Sequence, residues 1–427
     1  GVLFGLAPAI QATRVDVGPA LKESRSGESR GHRSFWKVGA SQVLITAQIA
    51  VSVLMLVAAG LFARTLSNLQ SIPLGFNRDN ILEFTIDARK AGHRDPEISK
   101  FYADLRTQLA AIPGIWQASL AESSLASAGT GLYVTRPGDP PPEYGTAILN
   151  IGPGFLTTMQ VPLIAGRDFD ERDGAGSTQV AIVNEKYAAE RFPHENPLGQ
   201  HLYLREPKTV VARDMTIIGV AKNARYGWVR HDYRGVVYMP YDQGYPKPNE
   251  MTFVLKTSGN PLRYVENVRD IVHRADLRIP VTDIVTAKGE VEQQMSMEIT
   301  LARLCSAFAL LALAIAWVGL YGTMSYSVAR RTGEIGIRMA LGAQRRRVIW
   351  MVLREILILT AAGFLISIPI ARTASKWIAS FLYEMKPNDP LALSFAMATL
   401  LAAASIASFI PARRASKIDP VVALRHE

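Results

Sequence analysis

The chain has 427 residues, a mean hydropathy of +0.11 and yet 20% charged residues, so apolar and charged residues are expected in separate blocks, which excludes an ordinary soluble globular protein. A single cysteine, Cys305, excludes a disulfide framework and any cysteine-rich zinc or iron-sulfur site. The formal charge of +10 does not mark a nucleic-acid binder, because the whole excess lies in three short pieces: residues 1–37 with 6 basic and 3 acidic, 328–356 with 7 and 2, and 411–427 with 4 and 2. Each piece adjoins an apolar block, the distribution that the positive-inside rule gives to cytoplasmic loops.

In chain order, the opening GVLFGLAPAI is too short to span a bilayer and lacks the basic start of a signal peptide. The residues that follow it carry a repeat. Pro8, Ala9, Ala12, Asp16, Ala20 and Leu21 recur as Pro411, Ala412, Ala415, Asp419, Ala423 and Leu424, all offset by 403. Residues 1–37 are therefore expected to be the tail of a preceding copy of the module, with a cytoplasmic linker.

The first predicted span covers residues 38–66, where 26 uncharged residues separate Lys37 from Arg64. Leu66, Leu69 and Ile72 extend its helical spacing as far as Pro73, the pattern of a stalk. Residues 67–300 then have near-zero net charge and the punctuation of a folded domain. Ile81 to Asp87 reads as a strand, Ile98, Phe101, Leu105 and Leu109 as a helix face, and Ile115 to Leu120 as a strand. The order repeats with a strand at Met251 to Thr257, a helix marked by Leu262, Val265, Val268 and Ile271, and a strand at Ile279 to Val285. Two βαβ units flanking an insertion predict a split α/β sandwich of the ferredoxin-like kind. The insertion, about 145–245, is rich in Gly, Pro and short β-prone runs and is expected to form a second, strand-rich lobe.

Inside this domain no catalytic, metal or cofactor pattern stands out. The acidic run Asp168, Asp170, Glu171, Asp173 fails as a calcium loop, because Arg172 holds a ligand position and Gly174 comes one place late. His194 and His201 lack a third ligand in register. The aromatic stretch Tyr226 to Tyr245 lies in a region without positive excess, so a core or protein surface is favoured over base stacking.

A second span is expected at 301–329, a third at 348–371 with Arg354 and Glu355 snorkelling near its start, and a fourth at 390–411 before the basic tail 412–427. Between the second and third lies the cytoplasmic segment 330–347, with RRTGEIGIRMALGA at its centre. Its clustered small residues, Gly336, Ala340, Gly342 and Ala343, suit close backbone approach, while Glu334, Arg338 and Arg345 offer charge to a docking partner. No Gly-Lys pair occurs anywhere, so no P-loop is present and the chain is not expected to be an enzyme.

EIGIRMALGA (Glu334 to Ala343), PARRASKIDPVVALR (Pro411 to Arg425) and AQIAVSVLMLVAAG (Ala47 to Gly60) resemble motifs of the MacB/FtsX-type permease family of ABC transporters, and the duplicated tail resembles its tandem-permease branch. The resemblance implies an α-helical membrane protein of four transmembrane helices with an α+β extracytoplasmic domain, in which a ferredoxin-like porter lobe carries the inserted lobe. It places the protein in the bacterial inner membrane and implies an ABC ATPase subunit in trans, a second permease module in the same chain or as a dimer, and an extracytoplasmic adaptor, with no cofactor and no nucleic acid. ATPase coupling would fall to Glu334, Ile335, Gly336, Arg338, Ala340, Leu341 and Gly342. The function implied is efflux or mechanotransmission. An FtsX-like regulator of an extracytoplasmic enzyme and a membrane-anchored scaffold remain open as alternatives.

Overall fold

The computed structural model describes residues 40–127, 131–140, 145–206, 210–225, 227, 230, 232–244, 250–341, 344–377 and 389–415. The first copy of the repeat and the second from residue 416 onward lie outside the described residues, while Pro411, Ala412 and Ala415 end the last described helix.

Four described helices are long and apolar enough to cross a membrane: α1 (Ala40–Gln70), α7 (Ser296–Arg330), α9 (Arg345–Trp377) and α10 (Pro390–Ala415). They form one bundle in which α1 is central, touching the other three. Its apolar window is 39% buried, against 17% for α7. Ile45, Ile49, Val53, Val57 and Leu61 recur mainly at four-residue spacing to make its buried stripe. Its neighbours answer with small residues, because lipid supplies no hydrophobic drive between helices and close packing must do the work. The α7 stripe includes Ala302, Ala309 and Ala316; α10 offers Ala392, Ala396, Ala404 and Ala407. A side chain at Gly363 of α9 would run into Ile49, and one at Gly319 of α7 would meet the Gln48 amide oxygen at 2.8 Å. The Ser52 hydroxyl donates to the Ala312 carbonyl at 3.2 Å, a bond between α1 and α7. At the outer end, Arg64 of α1 is paired with Asp389 at the start of α10.

Between α1 and α7 the chain forms β1 (Ile81–Ile86), α2 (Glu97–Ala110), β2 (Ile115–Ala121), β3 (Gly131–Thr135), β4 (Thr146–Ile151), α3 (Phe155–Thr158), β5 (Leu163–Gly166), β6 (Val180–Asn184), α4 (Glu185–Arg191), β7 (His201–Glu206), β8 (Val210–Ala221), β9 (Val236–Pro240), β10 (Met251–Thr257), α5 (Val265–Ala275), β11 (Thr282–Thr286) and α6 (Ala287–Gln294). Strands β11, β1, β10 and β2 lie in that order, all antiparallel, which is the split βαβ arrangement expected from the two flanking units. Helices α2 and α5 cover one face through Tyr102, Leu105, Leu109, Val268 and Val272. In that core Phe84 and Phe253, opposite one another on β1 and β10, stack at 5.4 Å, a pairing worth about 1 kcal/mol beyond its burial.

The inserted strands do more than add a lobe. β4 pairs with β3, β3 with β7, β7 with β8, β8 with β6, β6 with β9, and β9 returns to β4 in parallel, closing a ring of six strands. Closure leaves the ring without an open edge of its own. Period-two alternation sorts its side chains: Ala181, Val183, Val237 and Met239 point inward with Leu202, Leu204 and Met215, capped by Tyr187 and Phe192. Ile182, Val236 and Tyr238 point outward and meet Ile81, Ala121 and Val254 of the ferredoxin-like sheet. Hydrogen bonding joins the two sheets at one register pair, Ala121 with Ile151.

Three expectations shift. β3 belongs to the ring, so the strand-rich lobe starts before residue 145. Leu262 is 56% exposed, because Pro261–Tyr264 forms a separate 3-10 turn that sets a different phase from α5. Ile279 is buried but precedes its strand, which begins at Thr282 and carries a positive φ at Asp283.

Candidate functional site

The cytoplasmic elbow is built where α7 stops. Arg331 leaves helical geometry, and the Thr332 hydroxyl donates back to the Val328 and Ala329 carbonyls at 3.1 and 2.8 Å. The chain then forms α8 (Thr332–Ala340) and turns at Leu341 into α9. Ile335 is 1% exposed and seats α8 on Val348 of α9, with Val328, Met339 and Met351 around them. It anchors the helix and is not itself open to a partner. The outward residues are Glu334, Ile337, Arg338 and Leu341, the last 82% exposed. Arg338 donates to Glu334 at 2.6 Å and to the Met351 sulfur at 3.0 Å. Arg331 pairs with Glu355 at 3.2 Å and so ties the elbow to α9. Gly336 and Ala340 lie on α8; Gly342 and Ala343 lie outside the described residues.

Between α8 and α9 runs a groove of about 950 Å³, lined in part by Arg331, Arg338, Arg347, Trp350, Arg354 and Ile358. The arginines at 345–347 and 354 are plain in the sequence, but not that Trp350 and Ile358 continue their stripe.

A second constellation sits where the stalk meets the head. Leu69 at the outer end of α1 and Leu74 just beyond it pack with Ala126, Val291 and Met295, so α1, α6 and the start of α7 are gathered under the domain. Helices α6 and α7 are separated by one non-helical residue, Met295, rather than running straight on. Gly75, at φ +77°, lets the chain enter the head against Asn223 and Ala224, where a Cβ would strike the Asn223 carbonyl. The Pro73 and Leu74 carbonyls accept from the Tyr233 hydroxyl and the Arg225 backbone at 2.9 and 2.7 Å. Glu298, buried on α7, is bridged by Arg230 at 2.9 Å. Glu83 of β1 is 2% exposed beneath α6, within hydrogen-bonding reach of Glu290. Burial, then the neighbouring Glu290 carboxyl, hold the Glu83 carboxyl well above the usual carboxylate range. Sequence reading missed this pair, since a glutamate on an alternating strand looks like a solvent-facing residue.

The other singled-out groups have structural employment. Asp170 caps a short 3-10 turn and is gripped by Arg172, and Asp173 binds both terminal nitrogens of Arg167 at 2.6 and 2.8 Å. His201 meets Asp214 at 2.7 Å. Among the described residues no group of three His, Cys, Asp or Glu side chains is placed to hold a metal ion. Of the aromatics, Tyr226, Trp228 and Tyr245 lie outside the described residues, while Tyr238 is buried and Tyr241 donates to the Ser99 carbonyl at 3.2 Å.

Four helices able to span a membrane, a folded head between the first two and a short helix at the elbow give the architecture of a multi-pass membrane protein with one large domain outside the bilayer. The sequence matches the MacB-like periplasmic core domain over residues 43–274 and the FtsX-like permease C-terminal family over residues 306–420. The chain belongs to the MacB/FtsX-type permease family. It is 29% identical over 279 residues to the macrolide export ATP-binding/permease protein MacB of Marinobacter nauticus, covering 64% of this chain and 42% of that protein. With the pyoverdine export ATP-binding/permease protein PvdT of Pseudomonas savastanoi it shares 26% over 282 residues, at 64% and 42% coverage. The chain thus spans less than half the length of these relatives. The crystal structure of the periplasmic region of MacB from Actinobacillus actinomycetemcomitans aligns with 55% of this chain and 98% of its own at a TM-score of 0.36 and 15% identity.

Proposed function

We propose that this permease transmits mechanical work from an ATPase subunit supplied in trans, through α8, to its periplasmic head, in an efflux or mechanotransmission system. The observation that carries the reading is the elbow: α8 is held by buried Ile335 while Glu334, Ile337, Arg338 and Leu341 face outward, and it hangs from α7, whose far end reaches the head. A push on α8 reaches Glu298, Met295 and α6 through one long helix. A second permease module, in the same chain or as a partner, would supply the other coupling helix, because a dimeric ATPase presents two equivalent surfaces. The test is Gly336→Trp, which adds bulk on α8 without changing charge. Affinity-tagged full-length protein purified from its native host should lose its co-purifying ATPase and the stimulation of that ATPase. Retention of both with this change rules the coupling segment out.

A further inference from the structure

The groove between α8 and α9 has a chemistry that the coupling role does not use. Of its four arginines, Arg331 is neutralised by Glu355 and Arg338 by Glu334. Arg347 and Arg354 make no ion pair among the described residues, although both line the groove. They stand seven apart on α9, with Trp350 between them and Ile358 one further turn along, so the four form one stripe on one side of the helix. Trp350 is 58% exposed and Ile358 57%.

Position gives the stripe its meaning. The head is periplasmic, so the elbow and the first turns of α9 are at the cytoplasmic face of the bilayer. Arg354 lies nine residues into α9, about 13 Å along its axis, and Ile358 about 6 Å deeper. The order along the groove is therefore guanidinium, indole, guanidinium, aliphatic side chain, running from water into the hydrocarbon. Free phosphate or an acidic peptide would satisfy the arginines but leave Trp350 and Ile358 without an apolar partner. A molecule with an anionic head and an attached acyl chain matches all four, and basic pockets beside membrane helices on the cytoplasmic side bind such headgroups.

We propose that the α8–α9 groove is a binding site for an anionic phospholipid of the inner leaflet. Its anionic headgroup lies along Arg347 and Arg354 at the level of Trp350, and its acyl chain runs along Ile358. The site rests on Arg347, Trp350, Arg354 and Ile358 of α9, and it shares Arg338 and Leu341 of its α8 wall with the proposed ATPase contact.

The test uses the purified full-length protein in detergent, titrated with brominated phosphatidylglycerol or brominated phosphatidylcholine. The quenched tryptophan signal that Trp350→Phe removes reports the site. Phosphatidylglycerol should half-saturate that signal at roughly tenfold lower concentration than phosphatidylcholine, and Arg347→Gln with Arg354→Gln should abolish the difference. Inorganic phosphate at millimolar concentration should not displace the lipid. Equal quenching by the two lipids, or a preference that survives the double substitution, overturns the proposal. Displacement by phosphate alone would show an anion site without a lipid and also overturns it. Co-purification of the ATPase is scored in parallel on the same double variant. Lost ATPase with an intact lipid preference counts for the coupling reading and against a role for these arginines in lipid binding.

Discussion

The periplasmic head and the membrane bundle of one chain are held together by opposite means. In the head, large side chains fill closed interiors and some buried polar side chains lock several elements together. Asn184, wholly buried, accepts from the Tyr187 and Val236 backbone nitrogens at 3.0 and 2.9 Å and donates to the Arg234 carbonyl at 2.7 Å, fixing β6, α4 and β9 at one point. In the bundle, the Ile, Val and Leu stripe of α1 packs against neighbours that present many alanines and glycines, and the hydroxyls of Thr46 and Thr323 turn back on their own helices. Water drives the first kind of packing. In lipid, backbones must approach closely for dispersion to suffice. The head is therefore keyed by interlocking shapes and hydrogen bonds, while the bundle is joined along smooth faces that carry few such keys.

The sharpest way to break this contrast is Asn184→Leu. The buried backbone N–H groups of Tyr187 and Val236 would lose the acceptor that Asn184 gives them, and the head should lose about 2 kcal/mol or more. Limited proteolysis of the full chain against temperature should show the head cleaved several degrees earlier, with the spanning fragments unchanged. Next comes Gly363→Leu, which forces α9 away from Ile49 and should destabilise the bundle by about 1–3 kcal/mol. Its signature is earlier unfolding of the helices in sodium dodecyl sulfate at an unaltered head cleavage temperature. A drop in both would mean that the regions melt as one unit.

Glu83→Gln tests the exception within the head, a buried acid with a raised folded pKa. Below the ordinary carboxylate range both states are protonated and no penalty applies. As pH rises from that range through the raised folded value, the unfolded state has released a proton that the folded state retains, so stability falls. Glu83→Gln should remove this fall, leaving the head more stable than the parent at pH 8 and little changed at pH 4. Melting curves at the two pH values check the sign. The smallest effect is expected of Glu334→Gln, because its pair with Arg338 is half exposed and spans one helical turn. Stability should move by less than about 0.5 kcal/mol. A larger loss would mean that the pair holds the elbow together.

How much of this was legible depends on the distance over which each element is decided. The spans, β1, α2, β2 and β10 are written in local periodicity, and so is the 4-1-3-2 order once two βαβ units are recognised. Ring closure is not, because the parallel pairing of β4 with β9 joins residues some ninety positions apart and leaves no local mark. At the elbow, the charges of Glu334 and Arg338 are plain in the sequence, whereas the exposure of Leu341, an apolar residue, was not. The burial of Ile335 under Val348 required the fold. Glu83 was hidden for a related reason: its strand alternates correctly, but α6 arrives from two hundred residues downstream to cover the face that alternation assigns to water.

One dimension of α7 has a mechanical consequence. Its 35 residues extend about 52 Å, while a hydrocarbon layer accounts for about 30 Å, so a substantial part of the rod projects beyond the bilayer. Such a rod is a lever with unequal reach. A tilt of about 10° around its cytoplasmic end sweeps the Ser296 end about 9 Å sideways, nearly the width of another helix. In the proposed coupling, a tilt too small to break any contact at the elbow would become, at the top of the rod, a stroke large enough to carry α6 past a neighbouring side chain.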